Sequence, residues 1–431
     1  RDKAYDNVAF QRVIDGAPEA FEAMADFGVS VPAEVLAWST SKCEGHRRQF
    51  RGHFFPSKVL QASQMRGCPL CLKADASKVR GRPHLAMAMR GHWLVPHVTL
   101  CLEHEHPLVP LWQDPTPYTR FDSAVHLSNL AKRIMAGAFD KDLRDPTDFD
   151  LWLDARLSEN VSDGWLDSHP LHTAATFCYL LGTALLRLEG VMQSWVGNAD
   201  RWALYQMGFD VARHGADAIR QSLHRLQNLP GGPQDGPKKI FPYLYDRLSH
   251  DYQDDPSFEP FREILRDHMM ETWPLGPGDE VLGQPVMERR LHSVRTASQA
   301  TGIDQRRLRK MLAAAGLVPE AETGLPDSWE VFEAAEAQGI LNGLINLVPA
   351  KTFAVLIGAS RSQFDLLVRD GALVPALESD DVKAVWSPAD GVRFLDGLLA
   401  GAVQISAAQH GWEHLSKSAQ RLKIGPGEII K

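Results

Sequence analysis

The sequence predicts a mainly α, multidomain protein. A small cysteine- and histidine-containing domain comes first, then a helical middle, then tandem helix-turn-helix domains. Three observations predict this. CPLC at residues 68–71 is answered by CLEH at residues 101–104. In LHTAATFCYLLGTALLRLEG, apolar residues alternate steps of three and four (Leu171, Ala174, Cys178, Leu181, Leu185, Leu188), which traces one helix face. ASQATGIDQRRLRKMLAAAGLVP, from Ala297, returns without a gap 56 residues later as FAVLIGASRSQFDLLVRDGALVP, from Phe353. A duplication of that length is a small supersecondary module.

Length and composition set the frame. A chain of 431 residues should form several domains, and 44% apolar with 23% charged residues is ordinary for a globular protein. No run of about 18 apolar residues is present, so no membrane span is expected. The opening RDKAYDNVAF has no basic segment leading into an apolar one, so no secretory signal is read. It lacks a methionine, and GPGEIIK ends abruptly, as expected of a trimmed or processed product. Five cysteines without a signal fit a reducing, cytoplasmic setting better than a disulfide framework. The net charge of −8 argues against a globally basic nucleic-acid binder, but its distribution is uneven. Residues 41–106 hold eleven Lys/Arg against four acids, and residues 286–310 hold seven against two. Basic stretches in an acidic chain suit a modular nucleic-acid binder, or simply a solvated face.

The elements follow in order, with domain boundaries expected at 1–122, 123–285, 286–400 and 401–431. Residues 18–38 read as two short helices around Gly28, and QDPTPYTRFD (113–122) as a loop. DPTDFD and SDGWLDSHP punctuate a connector. The helix with the Leu171–Leu188 stripe then carries Cys178 as a core residue, and a second helix is expected from Arg201 to Leu226. LPGGPQDGPKK (229–239) is turn-rich and lacks GK[ST], so it is no phosphate loop. EPFREILRDHMMETW gives another helix and PLGPGDE a linker.

The paired CPLC and CLEH motifs carry the chemistry. A C-x2-C knuckle supplies two thiolates from one tight turn, and a second pair closes a tetrahedral site for Zn(2+). Cys68, Cys71, Cys101 and His104 form such a Cys3His set, with no vacancy for water and hence a structural role. Cys43 with His46, or His106, offers alternative donors. A catalytic zinc of the deaminase type needs H-x-E upstream, which is absent before Cys68. HExxH, G-x-S-x-G and Walker A patterns are absent as well. Asp140, Asp142 and Asp145 read as solvated charge in a polar connector. Trp93, Phe54 and Phe55 read as core aromatics, or as a cover for the metal domain.

In the first repeat, Ala297, Ile303, Leu308 and Leu312 suit a small core. Gly302 sits where a helix-turn-helix needs its tight turn, and Asp304 is a fair N-cap. Leu308, Met311 and Leu312 then face inward, leaving Gln305, Arg306, Arg307, Arg309 and Lys310 outward as DNA-binding candidates. The second repeat offers Arg361 and Gln363, with Ser362 and Arg369, offset by Asp365 and Asp370. It reads as a weaker DNA contact or a protein-docking copy. The tail EHLSKSAQRLKIGPGEIIK suits a further helical segment.

The run RGHFFPSKVLQASQMRGCPLCLKAD, followed by GHWLVPHVTLCLEHEHPLV, resembles the TniQ family, which includes target selectors of cut-and-paste transposons. The matching features are Gly52, CPLCL at 68–72, Trp93, and Cys101 to His104 with Leu108. The resemblance covers about residues 45–112. Two features depart from the family: its usual proline-rich N-terminal helix would precede this start, and no second C-x2-C follows the histidine. The resemblance implies a non-enzymatic adaptor that binds double-stranded DNA and brings a transposon AAA+ ATPase, and through it the transposase, to a target site. Some relatives instead dock on a CRISPR effector complex. A homodimer is compatible with such a role. The competing readings are a free-standing helix-turn-helix transcriptional regulator and a zinc enzyme such as a nuclease.

Overall fold

The computed structural model describes residues 10–26, 37–158, 163–190, 200–229, 235–319, 325–379, 382–407 and 409–430. The protein is mainly helical with several small sheets. It divides into two compact units, Arg1–His268 and Met269–Lys431. The division falls inside one helix, Glu259–Met270, whereas the sequence suggested breaks near 122 and 285.

In the first unit, α1 (Phe10–Ile14) and α2 (Pro18–Asp26) precede an antiparallel sheet of β1 (Ser41–Lys42), β2 (Arg47–Phe50) and β3 (His53–Pro56). The second of the helices expected around Gly28 lies outside the described residues. Alternation along β2 turns Arg48 and Phe50 inward. Arg48 donates to the carbonyls of Ile14 and Thr40 and pairs with Asp15, which hooks α1 onto the sheet. Next comes β4 (Gln64–Gly67), followed directly by α3 (Pro69–Ser77). β5 (Leu100–Cys101) and β6 (His106–Pro107) form a short hairpin, and β7 (Val109–Gln113) returns to pair with β4. Gly67 allows that pairing beside a large side chain, since a Cβ there would lie 2.9 Å from the Trp93 ring. Trp93 and Phe55 are buried core aromatics, as read from the sequence, while Phe54 is exposed.

The helices α4 (Ser123–Met135), α5 (Asp148–Leu157), α6 (Leu171–Leu185), α7 (Arg201–Ala212), α8 (Ala216–Gln227) and α9 (Glu259–Met270) follow. Within this unit α6 packs on β3. Arg51 donates to the Leu157 carbonyl (2.9 Å), and buried His97 bridges the Tyr205 hydroxyl and His172 at 3.0 Å each.

Two expectations change here. α6 is buried on nearly every side, Cys178 included, and not along a single stripe. By length and composition Leu171–Glu189 could cross a membrane, yet 83% of its most apolar window is buried within the protein. The single helix expected from Arg201 to Leu226 is broken in two, because Gly215 adopts φ 89° and starts α8 afresh. α6 and α7 approach backbone to backbone, where a Cβ on Gly182 would overlap the Leu204 carbonyl and one on Gly208 the Cys178 carbonyl.

The second unit opens with the hairpin β8 (Glu280–Val281) and β9 (Gln284–Pro285). The sequence duplication then reappears as a repeated order of elements. The first copy runs β10 (Leu291–Ser293), α10 (Val294–Thr301), α11 (Gln305–Ala314), β11 (Val331–Glu333) and α12 (Ala334–Ile345). The second runs β12 (Val348–Pro349), α13 (Ala350–Leu356), α14 (Arg361–Arg369), β13 (Leu377–Ser379), β14 (Val382–Trp386) and α15 (Pro388–Leu399). β10 pairs with β11, and β14 with both β12 and β13. Gly302 and Gly358 turn their helix pairs at φ 70° and 68°, a left-handed conformation that favours glycine. Asp304 caps α11 by accepting from the Arg307 N–H. α16 (Leu415–Leu422) and α17 (Pro426–Ile430) complete the described chain.

Glycine substitutions separate close approach from mere propensity. Gly208→Ala should lower unfolding stability by about 1–3 kcal/mol, because α6 and α7 must move apart. Gly339→Ala, exposed on α12 with nothing within 4 Å of its added Cβ, should raise it by about 0.5–1 kcal/mol in the same urea titration.

Candidate metal centre and nucleic-acid interface

Four short backbone features bring the metal-ligating side chains together. Cys68 ends the run after β4 and is the N-cap of α3; its sulfur accepts from the Cys71 N–H at 3.5 Å. Pro69 sets the first helical turn, where its missing N–H costs nothing. Cys101 ends β5, and His104 lies in the tight turn to β6. Glu105 in that turn takes φ 50°.

The donor atoms of Cys68, Cys71, Cys101 and His104 all lie within 4.8 Å of one another. Cys71 Sγ stands 3.5 Å from Cys101 Sγ and 3.3 Å from His104 Nδ1, with Cys101 Sγ to His104 Nδ1 at 3.7 Å. The thiols are free, and 3.5 Å is far beyond a disulfide bond. These spacings do match the edges of a tetrahedron with metal–donor bonds of about 2.0–2.3 Å. Bare, the sulfurs compete for protons: hydrogen bonding to Cys101 pushes the Cys68 and Cys71 thiols up and Cys101 down. A cation removes that conflict by taking all three as thiolates. Among the described residues this is the one group of three or more Cys, His, Asp or Glu placed to hold a metal ion.

Two of the alternative donors, His106 and Cys43, are engaged elsewhere. His106 is buried, with Nδ1 at the Pro107 carbonyl and Nε2 accepting from the Lys141 N–H. The Cys43 sulfur points to the Ser41 carbonyl. Asp140 pairs with Lys73 of α3, while Asp142 and Asp145 are exposed.

The basic run at 41–106 has a use that charge counting did not foresee. Arg48 hooks α1. Arg66 donates to the carbonyls of Val95 and Val98 at 2.9 and 3.1 Å. Arg90 and Lys78 converge on buried Asp75, which also accepts from the Ala88 N–H. Burial pushes the Asp75 carboxyl up, but these donors more than offset it and hold it below its usual range. Part of the positive charge in this run therefore fastens chain segments to one another, while Lys42, Arg47, Lys58, Arg80 and Arg82 are exposed.

In the second unit, Leu308, Met311 and Leu312 face the core as expected, and Ile303 packs beside them. The five polar residues expected outward on α11 divide. Arg309 turns toward Asp327 and the buried Glu330, at 3.0 Å from Asp327, and Gln305 donates to Asp327 at 2.8 Å. Arg306, Arg307 and Lys310 remain exposed and line one cleft. The inward turn of Arg309 comes from acids about twenty residues along, beyond the reach of helical periodicity. In the second repeat, Gln363 is part of the N-cap box of α14 with Ser360, and Arg361 is exposed beside Asp365. Lys383, in VKAVW on β14, also lines the α11 cleft and was not among the sequence candidates. The signal available for it was an isolated cation in an alternating strand. Arg309→Ala, which removes the cation beside Glu330, should cost about 1–3 kcal/mol in thermal unfolding. Arg306→Ala should change stability by less than about 0.5 kcal/mol.

No curated protein and no solved structure matches the chain. Residues 7–108 match the family model TniQ, a span that contains all four candidate metal donors. Over those residues the chain carries a domain of the TniQ family, which is associated with transposition.

Proposed function

We propose that this protein is a DNA-binding target-site selection adaptor of a transposition system, which recruits a transposon AAA+ ATPase and its transposase to target DNA. The observation that carries the reading is the pairing of a TniQ domain in the first unit with an exposed basic helix in the second. Arg306, Arg307 and Lys310 on α11 are the residues assigned to DNA. Gln305 and Arg309 hold the helix in place through Asp327, and Arg309 also through Glu330.

In this reading the metal is Zn(2+), held by Cys68, Cys71, Cys101 and His104. Three thiolates and an imidazole favour zinc over harder cations. It supplies a fixed cross-link and no reactive water, since four protein donors fill a tetrahedral site. The adaptor is therefore proposed to be non-enzymatic and to act in the cytoplasm.

Metal content, DNA footprinting with ATPase capture, and the salt dependence of binding test this. Elemental analysis of the purified chain should give about one zinc per molecule. Cys68→Ser should abolish most of it and destabilise the first unit by several kcal/mol; full zinc retention would contradict the ligand set. Footprinting and capture of the ATPase test the adaptor role. Replacing Arg306 and Arg307 with Ala should lower the slope of log K against log salt by about 1.8, about 0.9 per lost phosphate contact. DNA binding without ATPase capture would fit a free-standing regulator instead.

A further inference from the structure

The two repeats share a wall. Val385 of β14 is buried in the first repeat's core with Leu308, Met311 and Leu312, while its neighbour Trp386 is buried in the second core with Phe353 and Phe364. Successive strand residues face opposite ways, so one strand serves both cores. Lys383 stands two residues before Val385, on the side that faces the first repeat, and is exposed. With Pro349 and Val385 it lines a cleft of about 530 Å3, which Arg306, Arg307 and Lys310 of α11 also line. Four cations from two repeats border this space, and among the described residues no carboxylate lines it.

The helix of the second repeat that corresponds to α11 is placed differently. Ser362, Gln363 and Leu366 of α14 line a largely apolar cavity of about 360 Å3, together with Leu398, His414 and Ile430. Asp370, just past α14, accepts from the Gly427 N–H at 3.2 Å and so fastens α17 against that helix. The face of α14 equivalent to the basic face of α11 therefore looks toward the C-terminal segment.

We infer that the two repeats build one composite phosphate-binding surface, α11 from the first and β14 from the second, in place of two equivalent helix readers. Lys383 grips the DNA backbone beside Arg306 and Arg307, and α14 packs against the chain's own C-terminal segment. This rests on the proposed DNA-binding role and assigns the second repeat its part in it. The anionic groups bound are backbone phosphates of a duplex, whose contacts are independent of sequence.

The test is binding of the full chain to a labelled mixed-sequence DNA duplex over a salt series. Lys383→Gln should lower the salt slope by about 0.9, Lys383→Arg should keep it, and Arg361→Gln should leave it unchanged. Lys383 is exposed, so folding is not at stake. An unchanged slope for Lys383→Gln, with a reduced slope for the Arg306/Arg307 double variant, would overturn the composite surface while leaving DNA binding by α11 intact. An equal drop for Arg361→Gln would restore two separate readers and also overturn it. Absence of any salt-dependent duplex binding by the wild type would remove both this inference and the DNA-binding role.

Discussion

Three cysteine sulfurs and an imidazole nitrogen gathered within 4.8 Å are the constraint on which the first unit depends. Around them the secondary structure is minimal. β5 and β6 are two residues each, and β4 and β7 form an isolated ladder. Two-stranded pieces of this size are marginal in water. A metal ion held there would join the start of α3 to the β5–β6 hairpin, because its donors come from both ends of a span of more than thirty residues. Trp93, seated over Gly67 immediately before the knuckle, adds a large buried ring to the core that Leu72, Val95, Leu100 and Leu111 also build.

The arginines extend the same logic by electrostatics. Arg48, Arg66 and Arg90 each bind acceptors distant in sequence, including carbonyls that no strand or helix satisfies. A guanidinium offers five donors in a fixed fork and suits this stapling better than an ammonium. These three arginines thus serve architecture. In the second unit α11 and β14 leave cations at the surface beside one cleft, and there the same residue type is available to a partner.

What could be read in the sequence follows from how local each feature is. The two Cys/His pairs, the turn at Gly302, the cap at Asp304 and the inward triad of Leu308, Met311 and Leu312 depend on neighbours within a few residues. Each has a spacing that betrays it. Arg309 does not: helical spacing puts it outward, and only Asp327 and Glu330, beyond the end of α11, turn it in. The break at Gly215 was hidden because one glycine in a helical pattern reads as tolerated until its φ of 89° is known. α6 looked one-sided because Leu positions dominated the pattern, while its Ala, Thr and Gly positions are buried too. Lys383 was illegible for a different reason, since its meaning lies in a strand shared by two cores.

X-ray absorption at the zinc edge on the purified chain decides whether the Cys3His cluster is a closed tetrahedral zinc site. Such a site gives a first shell of about three sulfurs near 2.3 Å and one nitrogen near 2.0 Å. A shell containing solvent oxygen, or fewer sulfurs, would contradict it.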